Sequence, residues 1–359
     1  MFDSNERKMI EQMGLNCLVI DDNNKSIKLV KLDYINKSDS FVKNNPYFQN
    51  AKLLDDETLK EFNINIKHLP MLIVDPSYWD DIYISIINKY QIISLVFSNI
   101  LTAHLKTPKR GRIVLKNLNF LEQISTIKQF YLQPQKEMIL TEFWDINDFS
   151  PLEKHSELEY LYIPTNDMFI DIDFSSIQKL KGFNLQFPKK NKTIFKCTDI
   201  EEVDTRYYYK DLTEAQNWKK LKKFGAYFDE LKSFEGIKEF NYLEEFKGEF
   251  TSSLQSFEGL NSQSIKTFYY YTEARKTPVT LKGISGLKNV ETIKLSGLKK
   301  LNSIADLPEC KNLKEFWLEE SNVPDDIEEI TNIKSLKKVF IDYPEKVIKK
   351  FPKLKPYMS

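Results

Sequence analysis

The residues that first invite a search for chemistry are three histidines, three cysteines and a few adjacent carboxylates in a chain of 359 residues. His68, His104 and His155 have the type needed for general base work or metal ligation. None stands at ligand spacing from a cysteine or another histidine, which a zinc site requires. His155 falls on an apolar period between Leu152 and Leu158 and reads as a packed structural histidine. Cys17, inside LNCLVI, reads as a buried inert thiol rather than a nucleophile. Cys197 and Cys310 each fall on a three-residue apolar period, where cysteine acts as a small hydrophobe. Asp21-Asp22, Asp55-Asp56 and Asp325-Asp326 have the chemistry to hold a cation or to share a proton. Side-by-side acids are, however, ordinary turn residues. No phosphate loop, dinucleotide fingerprint or nucleophile elbow is present. The expectation is a chain without catalytic residues, metal or cofactor.

The elements that would position any site are set by a repeat. An apolar residue, two others, an apolar residue, one other and a third apolar residue recur ten times. The units are Ile127-Phe130-Leu132, Leu158-Leu161-Ile163, Leu180-Phe183-Leu185, Ile200-Val203-Thr205, Leu221-Phe224-Ala226, Ile237-Phe240-Tyr242, Ile265-Phe268-Tyr270, Val290-Ile293-Leu295, Leu313-Phe316-Leu318 and Leu336-Val339-Ile341. Their spacing falls within the range of short solenoid repeats, except for one step, from Leu221 to Ile237, that is too short for a normal turn. Upstream of several units an apolar residue returns every third position, as in Leu281, Ile284, Leu287, Val290. The second residue of every unit is charged, from Lys128 and Glu159 through Lys238 to Lys314 and Lys337. A triplet of this kind is a short strand, and the three-residue period is a turn of helix or a 3₁₀ segment on the opposite side. No unit buries its apolar edge alone, so neighbours must stack.

The stretch LKGISGLKNVETIKLSGLKKLNSIADLPECKNLKEFWLEES, Leu281 to Ser321, resembles the leucine-rich-repeat family, with its Leu-x-x-Leu-x-Leu core. The compact, irregular form of the repeat is similar to the phosphatase-regulator and internalin type. The resemblance implies an α/β solenoid with a parallel concave sheet. It also implies an asparagine or cysteine three residues past each strand, a place that holds Asn166 in one unit but Leu298, Ser321 and Pro344 in the last three.

Residues 1–110 lack the regular repeat and read as a small α/β amino-terminal cap. It contains strands in LNCLVIDDNNKSIKLVKLDYI, a buried strand in HLPMLIVDP and an amphipathic helix in SYWDDIYISIINKYQ. Ile92-Leu95-Phe97 fits the repeat core, and TAHLKTPKRGR reads as a link. The solenoid is expected over 111–345 and a carboxyl-terminal cap over 346–359, where Val347, Ile348 and Phe351 would cover the last repeat. The 52 basic and 52 acidic residues cancel, so no net field favours nucleic acid or an anionic membrane. No run approaches the roughly 18 to 20 apolar residues of a membrane span. Three scattered cysteines and an amino terminus without the pattern of a secretory signal lead to the expectation of a cytoplasmic monomer.

Alternation along a strand places the residues between the triplet's apolar positions on the concave face. Aromatic side chains gather there: Tyr131, Tyr160, Tyr162, Tyr227, Tyr269, Tyr271, Trp317 and Phe340. Around them stand Lys294, Glu315 and Glu319, and, from the sixth unit, Glu239 and Asn241. Tyrosine and tryptophan dominate protein-binding hot spots because they bury much area at little entropic cost. The expected function is therefore a non-catalytic module that holds another protein, in the finer reading an immunity protein occluding a toxin domain. A regulatory or scaffold subunit, and an enzyme or ligand-binding domain in residues 1–110 with the solenoid as targeting arm, are the alternatives.

Overall fold

A computed structural model describes residues 18–20, 71–74, 79, 82–97, 115–132, 146–163, 169–250, 254–273 and 278–358. The chain packs as two units, Met1–Leu180 and Lys181–Ser359.

In the first unit, β1 (Leu18–Ile20) pairs antiparallel with β2 (Met71–Val74). From β2 onward pairing is parallel, through β3 (Ser94–Phe97) and β4 (Gln129–Leu132) to β5 (Tyr160–Tyr162). Helix α1 (Ile82–Tyr90) is the amphipathic helix expected there, with Tyr83, Ile84 and Ile87 buried. Strands β3 and β4 are buried on both faces, as their near-continuous apolar runs SLVF and QFYL dictate. Even their polar members turn to one another, Ser94 Oγ donating to Gln129 Oε1 at 2.7 Å. His155 is a packed histidine: it is buried, and Nε2 lies 3.0 Å from the Leu121 carbonyl. Burial lowers its pKa, a shift only partly offset by that contact. The readings placed on Cys17, His68, His104, the two amino-terminal aspartate pairs, the second strand of the first hairpin, the link at 102–112 and Asn166 lie outside the described residues.

The second unit is a stack of parallel strands in sequence order: β6 (Gly182–Leu185), β7 (Glu202–Tyr207), β8 (Lys223–Phe228), β9 (Glu245–Phe250), β10 (Thr267–Thr272), β11 (Thr292–Ser296), β12 (Glu315–Glu319) and β13 (Lys338–Ile341). The register is strict, so that Phe246, Phe268, Ile293, Phe316 and Val339 are successive partners. Between strands the three-residue period forms 3₁₀ turns such as Ile284–Gly286 and Leu307–Glu309. These supply the opposite wall of the core, and Leu281, Ile284, Leu287 and Val290 are all fully buried. Each contributes about 1.5–3 kcal/mol by leaving water. Gly283, at φ +92°, starts one turn where a Cβ would lie 2.5 Å from the Phe257 backbone of the repeat before it. Here only glycine fits.

Two features of this unit depart from the sequence reading. The triplet Ile237-Phe240-Tyr242 is not a strand. Residues Ile237–Glu239 form a 3₁₀ turn, Tyr242 is 63% exposed, and the strand of this repeat is β9, built on Leu243-Phe246-Gly248. The corrected start, Leu243, falls midway along the chain between Leu221 and Ile265, which removes the short step. Gly248 occupies the third core position because aromatic rings fill its space. A Cβ there would overlap the Phe250 ring and lie 3.1 Å from that of Phe228. The aromatic spine around it runs Phe228–Phe246 at 5.6 Å, Phe246–Phe268 at 5.5 Å and Phe250–Tyr270 at 4.5 Å between ring centres.

The second departure is the charged residue that opens each unit. With Glu244 in place of Lys238 the series in this unit reads Lys181, Glu201, Lys222, Glu244, Lys266, Glu291, Lys314, Lys337, its signs alternating up to the final lysine. Three neighbours close as ion pairs, Lys222–Glu201 at 2.6 Å, Lys266–Glu244 at 2.9 Å and Lys314–Glu291 at 2.6 Å. The same residues relay the backbone. The carbonyl of Lys222, for example, accepts from the amides of both Glu244 and Glu245 in the next repeat. In the place of the expected asparagine ladder past the strands, the polar residues just before the last four core triplets, Ser264, Asn289, Asn312 and Ser335, reach back one repeat. Asn289 Nδ2 donates to the Gln263 carbonyl at 2.8 Å, and Ser335 Oγ to the Leu313 carbonyl at 2.7 Å.

The last edge is closed. Helix α2 (Pro344–Lys350) buries Val347, the following residues bury Phe351 and Leu354, and Ile348 stays half-buried. The tail then returns so that the Val339 amide donates to the Tyr357 carbonyl at 2.9 Å. One donor of the edge row, which would otherwise offer a template for unwanted pairing, is thereby occupied.

Candidate functional site

In β7 to β13, residues alternate between buried and solvent-facing, which gives the second unit one core face and one open face. The open face carries most of the residues expected to bind. Tyr227 (40% exposed), Tyr269, Tyr271, Lys294, Glu315, Trp317, Glu319 and Phe340 all stand on it. Glu239 and Asn241 do not, since their segment is a turn; Glu245, Lys247 and Glu249 of β9 take their places. Tyr131 and Tyr160 are corrections of another kind. Both lie in the first unit and are only 1% and 6% exposed, because β4 is buried on both faces and so is the start of β5, where Tyr160 pairs with buried Gln129. Half-buried Tyr162 stacks on Tyr131 at 4.5 Å with ring planes 5° apart.

Strand register turns the open-face residues into rows, spaced about 4.8 Å from strand to strand. The central row runs Asp204, Gly225, Lys247, Tyr269, Lys294, Trp317, Phe340. Its last four members form one contact series. The Lys294 ammonium stands 5.0 Å from the Tyr269 ring centre and 4.1 Å from that of Trp317. Trp317 then stacks on Phe340 at 3.7 Å and 20°. A cation between two rings gains about 0.5–1 kcal/mol from each at such accessible positions, so the lysine fixes the rings as much as they hold it. The Trp317 indole N–H is buried without a hydrogen-bond acceptor, a cost of roughly 1–3 kcal/mol in the free protein.

The adjoining row runs Arg206, Tyr227, Glu249, Tyr271, Ser296, Glu319. Arg206 grips Asp229 through two bonds, Nε to Oδ2 at 2.7 Å and Nη2 to Oδ1 at 3.1 Å. Its guanidinium also lies 5.7 Å from the Tyr208 ring and 5.5 Å from the Tyr227 ring. Asp204, one row back, has its pKa raised chiefly by desolvation, against the attraction of Lys247. The arrangement offers an aromatic surface with charges fixed among its rings.

On the flank where the strands begin, an open groove of about 530 Å³ is lined by polar groups that include Asn241, Gln263, Asn289 and Asn312, with exposed Tyr242 beside them. It was not expected from the sequence; its signal is the polar residue that precedes successive core triplets. Among the described residues no group of three or more histidine, cysteine or carboxylate side chains is placed to hold a metal ion. No helix of those residues is long and apolar enough to cross a membrane. Cys197 and Cys310 are buried, and burial pushes the Cys310 thiol up to about 12.

No protein-family model matches the chain, and no curated protein matches it. Solved structures do. Internalin InlF of Listeria monocytogenes is 13% identical over 84% of this chain and 88% of its own, with a TM-score of 0.48. The leucine-rich-repeat protein LIC12759 of Leptospira interrogans is 14% identical over 89% and 97%, with a TM-score of 0.40. The functional domain of InlJ from Listeria monocytogenes, which includes a cysteine ladder, is 12% identical over 67% and 64%, with a TM-score of 0.35. Likenesses this distant leave the assignment to the molecule's own geometry. Parallel strands in strict register, a short repeat of near-constant length and 3₁₀ turns on the opposite wall make the chain an α/β leucine-rich-repeat solenoid.

Proposed function

We propose that this chain is a non-catalytic protein-binding module that works through the open sheet face of its second unit. One observation carries the reading: the contact series Tyr269–Lys294–Trp317–Phe340, a pre-set aromatic surface facing solvent. Rings already held by neighbours lose little freedom on binding, the condition under which buried area turns into affinity. The rows change from strand to strand, so the face suits one complementary surface rather than a repeated motif. That is what an immunity protein needs to occlude a toxin domain. The finer part of the proposal is such a role in the cytoplasm, where buried thiols like Cys197 and Cys310 stay reduced.

The test compares wild type with Tyr269→Ala/Tyr271→Ala/Trp317→Ala in affinity capture read by mass spectrometry. Three hot-spot truncations at about 2 kcal/mol each correspond to a loss of more than about a thousandfold. A partner lost by the variant supports the reading, and a toxin domain as that partner supports its finer part. An identical partner set for both proteins overturns it.

A further inference from the structure

Over most of this unit's surface, acids are matched by lysines one repeat away. Beyond the flank series, Lys219 pairs with Glu239 at 2.7 Å, Lys220 with Asp199 at 2.6 Å and Lys282 with Glu258 at 2.7 Å. The open face breaks this habit. Glu249, Glu315 and Glu319 have no cationic side chain of the described residues within ion-pair distance. At the carboxyl ends of β9, β10 and β12, carboxylates gather around the half-exposed ring of Tyr271. Its hydroxyl donates to Glu273 at 2.6 Å. Its acidity is suppressed to about 12, first by that bond and then by burial and the charges of Glu273, Glu320 and Glu249. Lys299 pairs with Glu320, at 3.8 Å, and Lys247, two residues before Glu249 on the same face of β9, closes no ion pair with it. Lys294, one row in, is held between the Tyr269 and Trp317 rings.

Toward its last strands the face is therefore two-sided: Tyr269, Trp317 and Phe340 give the central row its rings, Lys247 and Lys294 stand among them, and carboxylates collect around Tyr271 at the strand ends. Carboxylates that make no ion pair among the described residues are open to a cationic partner, and such a partner is oriented by them. We propose that the occupant is a cationic segment of a partner protein, its apolar side chains on Tyr269, Trp317 and Phe340 and its lysines or arginines on Glu249, Glu273 and Glu319. This rests on the reading that the open face binds protein, and it adds the chemistry of the bound surface. The edge acids and the Tyr271 ring together suit an ammonium or guanidinium, which takes a carboxylate on one side and a ring face on the other.

The probe is a fluorescent peptide of alternating leucine and lysine, compared with one of alternating leucine and glutamate, by anisotropy on the full chain. Three variants join the wild type: the triple Glu249→Gln/Glu273→Gln/Glu319→Gln, the triple alanine variant of the aromatics, and Glu239→Gln/Glu258→Gln as a control for acids elsewhere. Circular dichroism and urea midpoints establish that each is folded. The lysine peptide should bind in preference to the glutamate peptide, weaken about tenfold in the glutamine triple, weaken in added salt, and keep its affinity in the control. Equal binding of both peptides, or no loss in the glutamine triple, overturns the cationic assignment, and the aromatic reading survives if the alanine triple still loses them. Binding that none of the variants changes overturns both.

Discussion

Gly248→Ala is the substitution whose sign depends most directly on the packing described here. Replacing glycine by alanine within a strand ordinarily stabilises by about 0.5–1 kcal/mol, since the unfolded chain loses freedom. At Gly248 the added methyl falls inside the Phe250 ring and 3.1 Å from the Phe228 ring. Both rings are held, Phe250 against Tyr270 at 4.5 Å and Phe228 against Phe246 at 5.6 Å. Overpacking of this kind costs about 1–3 kcal/mol, which outweighs the gain and leaves a net destabilisation of about 1–2 kcal/mol. In urea, with a slope of about 2 kcal/mol per molar, the midpoint falls by roughly half to one molar at unchanged slope. Phe250→Leu alone destabilises too, but in the Gly248→Ala background it makes room for the methyl. The two changes are therefore coupled by at least about 0.5 kcal/mol. A midpoint for Gly248→Ala equal to or above wild type would refute the packing, and with it the assignment of Leu243-Phe246-Gly248 as the core triplet.

His155 is buried neutral with its pKa below the 6.5 of a free histidine, so the unfolded chain takes up the proton first. Stability should fall as pH drops through that range, and His155→Gln should flatten the dependence, as measured by urea midpoints between about pH 5 and 8. In a Cys17→Ser/Cys197→Ser background, Cys310, whose thiol burial pushes up to about 12, should resist a thiol reagent at pH 8 in native buffer and react at once in urea. Rapid native labelling would contradict the packing of that turn.

The repeat was legible because its core obeys a period that few other folds impose. Leu281, Ile284, Leu287 and Val290 are spaced as a 3₁₀ wall must be, and each is fully buried. The ninth strand was hidden for a physical reason. Its third core position is a glycine whose volume is supplied from a distance by Phe250 and Phe228, while the nearby run around Ile237 and Phe240 mimics a strand triplet on a buried turn. That misplacement also put Lys238 where Glu244 belongs and concealed the alternation of charge. Alternation alone could not tell an open face from a covered one. Tyr131 and Tyr269 hold the same place, between the second and third core residues of their units, yet only Tyr269 meets water. The difference lies in strand neighbours such as Ser94 and Val96, which are themselves buried on the face that Tyr131 shares.

The alternating charges along the flank act as a parity check on the number of repeats. Removing any one repeat between Lys181 and Lys314 would set like charges against each other at the new junction, lysine on lysine or glutamate on glutamate. Removing two adjacent repeats would restore an opposite pair. A chain stacked this way accommodates lengthening or shortening in twos with less charge conflict than in ones, an effect of up to about 1 kcal/mol per junction at such exposed positions. Lys337, which follows Lys314 with the same sign, is where the sequence stops alternating and where helix α2 and the returning tail take over the edge.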